Sequence, residues 1–319
     1  MTVLSSLAAL MVTIALPFSS PVEAAAMNPP KIPVLIIDGM NNHDWPRATR
    51  MLKAILTKSG LFAVDVSTTP TADASAAQWD AWHPDFTRYR AVISNYNNMD
   101  GAKKGYWPPQ VEKAFEDYVR KGGGFVSFHA ANNAFTDWKA YNEMIGLGWR
   151  SKTFGPSLVI TPDEKVQVIP AGEGQGPGHP SEHDFEITVL DPQHPITSGL
   201  PKKWLHPHDQ LTHGQHGPMK NLTVLTYAYA DDVKENEPMD WVVSYGAGRV
   251  YVTMQGHLWK DGPDTALRSV GFQTLFVRGV QWAATGKVTY PVPANFPTAT
   301  QSSLVPEATA STSGGELSP

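Results

Sequence analysis

From residue 33 to 38 the chain reads Pro-Val-Leu-Ile-Ile-Asp, apolar without alternation, as expected for a strand buried on both faces. From Arg47 to Ser59 the apolar residues Met51, Leu52, Ile55 and Leu56 recur at helical spacing, and Gly60 ends that helix. Strands at 62–66 and 89–94 follow. A helix then opens at Pro108-Pro109 and runs through Val111, Phe115, Tyr118 and Val119. Gly122 to Gly124 closes it, and Phe125 to Phe128 is a fourth strand. This β-α-β-β-α-β order predicts an α/β fold with a doubly wound, mostly parallel sheet.

The pattern changes between residues 150 and 220, which are rich in Pro, Gly and His. Strand-like pieces at 158–160, 166–169 and 185–189 read as extended excursions laid over the carboxyl edge of the sheet. Regular strands return at 222–227, 240–245 and 250–254, with Gly246-Ala-Gly248 as a hairpin signal. Residues 266–284 are amphipathic and predict a closing helix. One domain over residues 31–293 accounts for these elements. Residues 294–319, rich in Pro, Ser, Thr and Ala, read as a disordered tail.

At the amino end, residues 4–16 form an apolar run too short to span a bilayer comfortably. Val22-Glu-Ala-Ala-Ala26 follows, so residues 1–26 read as a signal peptide, with an uncleaved anchor as the alternative. That predicts a periplasmic or secreted protein, with no membrane attachment after cleavage. The net charge of −5 and the lack of a basic run argue against nucleic acid as partner. There is no Cys, which excludes thiol chemistry and Cys-ligated metal. The ten tryptophans include Trp45, Trp149 and Trp259 beside turn-like polar segments, where they serve either as packing residues or as flat platforms for sugar rings.

Titratable residues fall where predicted strands run out, which is where open α/β sheets collect ligands. His129 follows the strand 125–128, His43 follows the first strand, and His257 follows the strand ending at Met254. These three can converge on one crevice and act as acid, base or oxyanion stabiliser. Asp209 lies among His179, His183, His194, His206, His208, His213 and His216, where a carboxylate can orient an imidazole or bind a sugar hydroxyl. The His206-Pro-His208 and His213-x-x-His216 spacings could chelate a divalent metal such as zinc, although neither is a strong zinc pattern. His194, inside Asp191-Pro-x-His-Pro195, reads as a turn brace, and Asp44 as a helix cap. Asn132, Trp45 and Gln210 are the candidate substrate contacts.

Five segments, taken in order, resemble the trehalose-utilisation, or ThuA-like, family. They are Asn42-His-Asp-Trp45, Gly122-Gly-Gly-Phe-Val-Ser-Phe-His-Ala130, Asp191-Pro-x-His-Pro-Ile196, His208-Asp-Gln-Leu211, and Gly248-Arg-Val-Tyr to Gly256-His257. The resemblance covers about residues 32 to 293 and implies a flavodoxin-like, class I glutamine-amidotransferase-like fold and a role in sugar metabolism beside 3-keto sugar oxidoreductases. Where the family commonly shows Asp-Glu-Leu-Tyr, this chain has Asp209-Gln-Leu-Thr212. The amidotransferase relatives use a Cys at a strand-to-helix elbow, a place His129 takes here, so glutaminase activity is excluded on chemical grounds. The resemblance leads to an enzyme acting on a small carbohydrate, a 3-keto-glycoside above all, with His129 and His43 as base and acid. A non-catalytic secreted carbohydrate-binding protein and a metal-dependent hydrolase stand as alternatives.

Overall fold

The computed structural model describes residues 29–98 and 106–307. The segment read as a signal peptide lies outside them. From Lys31 onward the described chain is one compact unit.

Its first half follows the apolar pattern. Strands β1 (Ile32–Asp38), β2 (Phe62–Thr68), β3 (Ala91–Ser94) and β4 (Gly124–Phe128) pair in parallel. Helix α1 (Trp45–Lys58) is capped by Asp44, whose carboxylate accepts from the Arg47 N–H, with Pro46 in its first turn. A short helix α2 (Ala76–Ala81), not expected from periodicity, starts at a Ser75–Gln78 capping box. Helix α3 (Pro109–Arg120) precedes β4, and α4 (Lys139–Ile145) follows it. On β4, Phe125 packs against Phe115 of α3 and Tyr141 of α4. Phe128 meets Phe272 and Phe276 on the later helix α6 (Val270–Thr285). The parallel part therefore carries helices on opposite faces and hides β3, β4 and most of β1 from water, while the edge strand β2 stays largely exposed.

The second half overturns the expectation of a mostly parallel, doubly wound sheet. Strands β5 (Ser157–Ile160), β6 (Val166–Ile169), β7 (His183–Val189), β8 (Lys203–Asp209), β9 (Leu222–Ala230) and β10 (Glu235–Tyr245) join the same sheet rather than lying over its edge. Only β11 (Gly248–Thr253) returns to the parallel set, beside β4. The main order is β2-β1-β3-β4-β11-β10-β9-β7-β8, with β5 and β6 attached at β10. Four of the described pairings are parallel and six antiparallel. The reason is the connections: no helix lies between α4 and the short α5 (Thr265–Arg268), so β5 to β10 cannot make crossovers and turn back as antiparallel neighbours. The five strands β2-β1-β3-β4-β11 keep the flavodoxin-like order, in which ligands gather at the carboxyl ends.

The predicted closing helix is two helices, broken at Ser269. Residues 294–307, read as part of a disordered tail, are instead fixed along it. Leu205 N–H donates to Thr298, Val270 N–H to Ser303 and Val305 N–H to Arg268. Phe296 packs on Trp204 at 5.3 Å, and Arg268 pairs with Glu307. Backbone pairing with only a few apolar anchors, Phe296 among them, holds this segment, which is why composition did not reveal it. Residues 308–319 lie outside the described chain.

Candidate active site

Three loops leaving the carboxyl ends of β1, β4 and β11 each bring one histidine to the same point. Asp44 N–H donates to the Leu258 carbonyl at 3.0 Å and ties the first loop to the third. His129 opens the turn after β4 with φ of 44°, a left-handed conformation that costs energy for a side chain of this size and clusters at functional sites. Gly256, with φ of 93°, lets the third loop pass over Phe128, where a Cβ would stand 2.7 Å from that ring. The ring centroids are 5.0 Å apart for His43–His129, 4.9 Å for His43–His257 and 5.3 Å for His129–His257.

Each ring is held through Nδ1. His43 Nδ1 lies 3.0 and 3.1 Å from the side-chain oxygens of Asn41 and Asn42. His129 Nδ1 lies 2.7 Å from the Met254 carbonyl oxygen, and His257 Nδ1 lies 2.8 Å from Glu182 Oε1. All these partners accept, so the proton sits on Nδ1 and the lone pair on Nε2. Burial first, and then His129, His257 and His179, pull the His43 pKa down to about 2. Burial first, and then His257, bring His129 down to about 4 against the opposing pull of Asp209. Burial also lowers His257, against Asp209 and Glu182.

One nitrogen from each ring lies within 4.8 Å of the others, so these three histidines could hold a metal ion. The donor set fits. Three neutral imidazoles leave a fourth position open to water or substrate in catalytic zinc sites. The outer acceptors on Nδ1 are the partners that orient such ligands. The chelating pairs suggested by spacing do not form. His206 is turned to Asp209 at 2.6 Å, His213 to Asp232 at 3.1 Å, and His216 to the carbonyls of Gly155 and Gln175 at 2.8 Å each. His194 braces its turn by accepting from Ile196 N–H at 3.3 Å, and its ring lies against Trp282.

Asp209 is fully buried behind the histidines rather than inside the cavity. Its carboxylate accepts from the N–H groups of Gly256 at 2.7 Å, His257 at 3.0 Å and Gln210 at 2.7 Å, and pairs with His206. Burial alone would raise it, but His206, His129 and the Gly256 N–H outweigh that and hold its pKa low. It thus fixes the backbone that carries His257. Gln255, two residues before His257, donates to the buried Asp240 at 2.6 Å.

The histidines line a cavity of about 360 Å³, with Trp149, Trp259, Gln210, His179 and Glu182 among its other walls. The exposed Trp259 ring lies parallel to His257, 6.1 Å away. Of the substrate contacts expected from sequence, Gln210 is there, whereas Trp45 and Asn132 are not. Trp45 starts α1 and its carbonyl accepts from Asn95, and Asn132 is buried against Gln215 and Met254. Glu182 was not singled out in the sequence. It sits in Pro-Ser-Glu-His, with no spacing that ties it to His257.

Residues 33–283 match the family described as ThuA, trehalose utilisation. The structure is similar to the crystal structure of a ThuA-like protein from Parabacteroides merdae ATCC 43184. The two share 36% identity and a TM-score of 0.80 over 86% of this chain and 98% of that one. A ThuA-like protein from Bacteroides uniformis ATCC 8492 shares the fold at 19% identity and a TM-score of 0.53, over 85% of this chain and 97% of that one. No curated protein matches the sequence. Family match and structural likeness agree with the segments read from the sequence, and the family's description points to a carbohydrate-related role: the chain belongs to the ThuA, or trehalose-utilisation, family.

Proposed function

We propose that this protein is a metal-dependent enzyme that cleaves oxidised, 3-keto glycosides. The observation that carries the reading is the set of three neutral imidazoles, each locked at Nδ1, beside a cavity walled by Trp149 and Trp259. The family description supports a carbohydrate substrate, and flat indoles suit the apolar faces of sugar rings. A ketone at C3 acidifies the C2 proton. Removing that proton lets the aglycone leave from C1, and addition of water completes a hydrolysis.

A divalent ion held by His43, His129 and His257 supplies a Lewis acid for the ketone oxygen. Glu182 gives Oε1 to His257 and keeps Oε2, 4.0 Å from His208, for the C2 proton. With pKa values near 2 and 4, His43 and His129 carry no second proton to give at neutral pH, which supports ligation over an acid role. Asp209 keeps His257 in place. Export is part of the reading, and amino-terminal sequencing from the native host should find a mature chain starting near residues 25–27; an intact Met1 contradicts it.

The test is release of glucose from 3-keto-trehalose. We expect turnover that a chelator abolishes and zinc restores. Metal-loaded protein that binds the unoxidised sugar but turns over no keto-glycoside would remove the proposal in favour of a non-catalytic binding protein.

A further inference from the structure

A fourth histidine reaches the cavity on the segment from Gln175 to Glu182. Gly178 and His213 exchange backbone hydrogen bonds at 3.2 and 2.9 Å, and His216 Nε2 lies 2.8 Å from the Gln175 carbonyl. The approach is so close that a Cβ on Gly178 would stand 2.6 Å from the His213 ring. His213 is itself paired to Asp232. His179 is therefore delivered to one place by a fastened strap.

His179 is anchored at Nδ1 like the other three and differs from them in its exposure. Its Nδ1 is occupied by the Pro180 carbonyl at 2.9 Å, and Nε2 has no described hydrogen bond. Its ring is exposed to solvent, whereas His43, His129 and His257 are each at most 9% exposed. An exposed imidazole can refill its proton from water between turnovers, and a buried one cannot do so readily. His179 is also near enough to lower the pKa of all three, behind burial as the main cause. Its ring centroid is 5.8 Å from that of Trp149.

We propose that His179 is the proton donor to the departing aglycone, an inference that rests on the keto-glycoside reading above. As the C2 proton passes to Glu182, the C2–H electron pair becomes the C1=C2 bond and the C1–O bond breaks. His179, made an imidazolium by a proton taken onto Nε2, gives that proton to the leaving oxygen and is left neutral with its Nδ1 proton on the Pro180 carbonyl. An alcohol departs and a 1,2-unsaturated 3-ketone remains. Water then adds at C1, giving its proton to neutral His179, while Glu182 returns the proton to C2. The sum is glycoside plus water to 3-keto sugar plus alcohol, with no oxidant or reductant.

The experiment compares two substrates in zinc-loaded wild type and His179→Ala. Methyl 3-keto-glucoside has a poor leaving group that needs protonation, and 4-nitrophenyl 3-keto-glucoside has one that does not. His179→Ala should lose about a hundredfold or more in kcat on the methyl substrate and less than about threefold on the nitrophenyl one, the size expected of general acid catalysis. Added imidazole should restore the methyl reaction alone, and bound zinc should match wild type. Equal loss on both substrates, or loss on neither, overturns the role of His179. Wild type that turns over neither substrate overturns the underlying reading and the inference with it.

Discussion

In the parallel half, β3 and β4 are buried along their whole length and β1 along most of it. In the antiparallel half, β6 leaves Val166 and Val168 about half exposed and β9 does the same for Tyr229. The first half is a helix-covered layer whose strand ends are fixed by packing, and it supplies all three clustered histidines. The second is a partly open sheet that supplies what stands around and behind them: His179, Glu182, Asp209 and Gln210. The difference separates two jobs. Rigid strand ends set the distances between the imidazoles and the tautomers of His43 and His129, and the inserted strands set the tautomer of His257, the backbone support behind it and part of the cavity wall.

If that division holds, lesions in the two halves should differ in kind. The largest effect should come from the parallel half. His129→Ala or His257→Ala is expected to abolish both metal binding and turnover, with little change in far-ultraviolet circular dichroism. Retained metal in either variant would break the comparison. Next comes the antiparallel support. Asp209→Asn unpairs His206 and loosens the N–H groups of Gly256 and His257. Loss of such an outer partner costs about 10- to 100-fold in metal affinity or activity. Breaking a buried pair also costs about 3–5 kcal/mol of stability. Zinc titration and chemical unfolding check the two numbers separately.

A smaller effect should be confined to the inserted strands. Glu237 on β10 is buried, and burial pushes its pKa from 4.5 up to about 8, with the Gly214 N–H only partly opposing. The folded state therefore binds this proton more tightly than the unfolded chain. Its contribution to stability is complete below about pH 4.5 and is lost as the pH rises through about 8, by roughly a few kcal/mol. Glu237→Gln should flatten that slope, so urea unfolding at about pH 6 and about pH 9 should differ less in the variant than in wild type. An unchanged slope would show that Glu237 is not the group responsible. The smallest effect belongs to Trp259, whose ring is exposed. Trp259→Ala should raise KM for a keto-glycoside several-fold while changing stability by no more than about 0.5 kcal/mol.

The same division governs what could be read from the sequence. Continuous apolar runs marked β1 and β4, and helical spacing marked α1 and α3. Histidines at three strand ends were visible because local patterns place strand ends. Strand β8 was hidden, since Pro207 and two histidines make Lys203–Asp209 look like a loop, although Trp204, His206 and Asp209 are all fully buried in it. Asp44 caps α1 as its spacing indicates, whereas the hold of Asn41 and Asn42 on the His43 ring has no local sequence signal. Glu182 meets His257 only because β7 pairs with β8 and places the strap over the cavity, a contact no local spacing encodes. Asp209 was visible as a candidate, but its work on the backbone of the 256–257 loop depends on a contact across the fold.

The most direct test of the account is the metal content of the purified protein, measured by elemental analysis on wild type, His43→Ala, His129→Ala and His257→Ala after equilibration with zinc and removal of the excess. Wild type should hold one tightly bound divalent ion per chain, and none of the three variants should hold any. Wild type that holds no ion, or variants that hold it as well as wild type does, would contradict the claim that the three strand-end histidines form a metal centre.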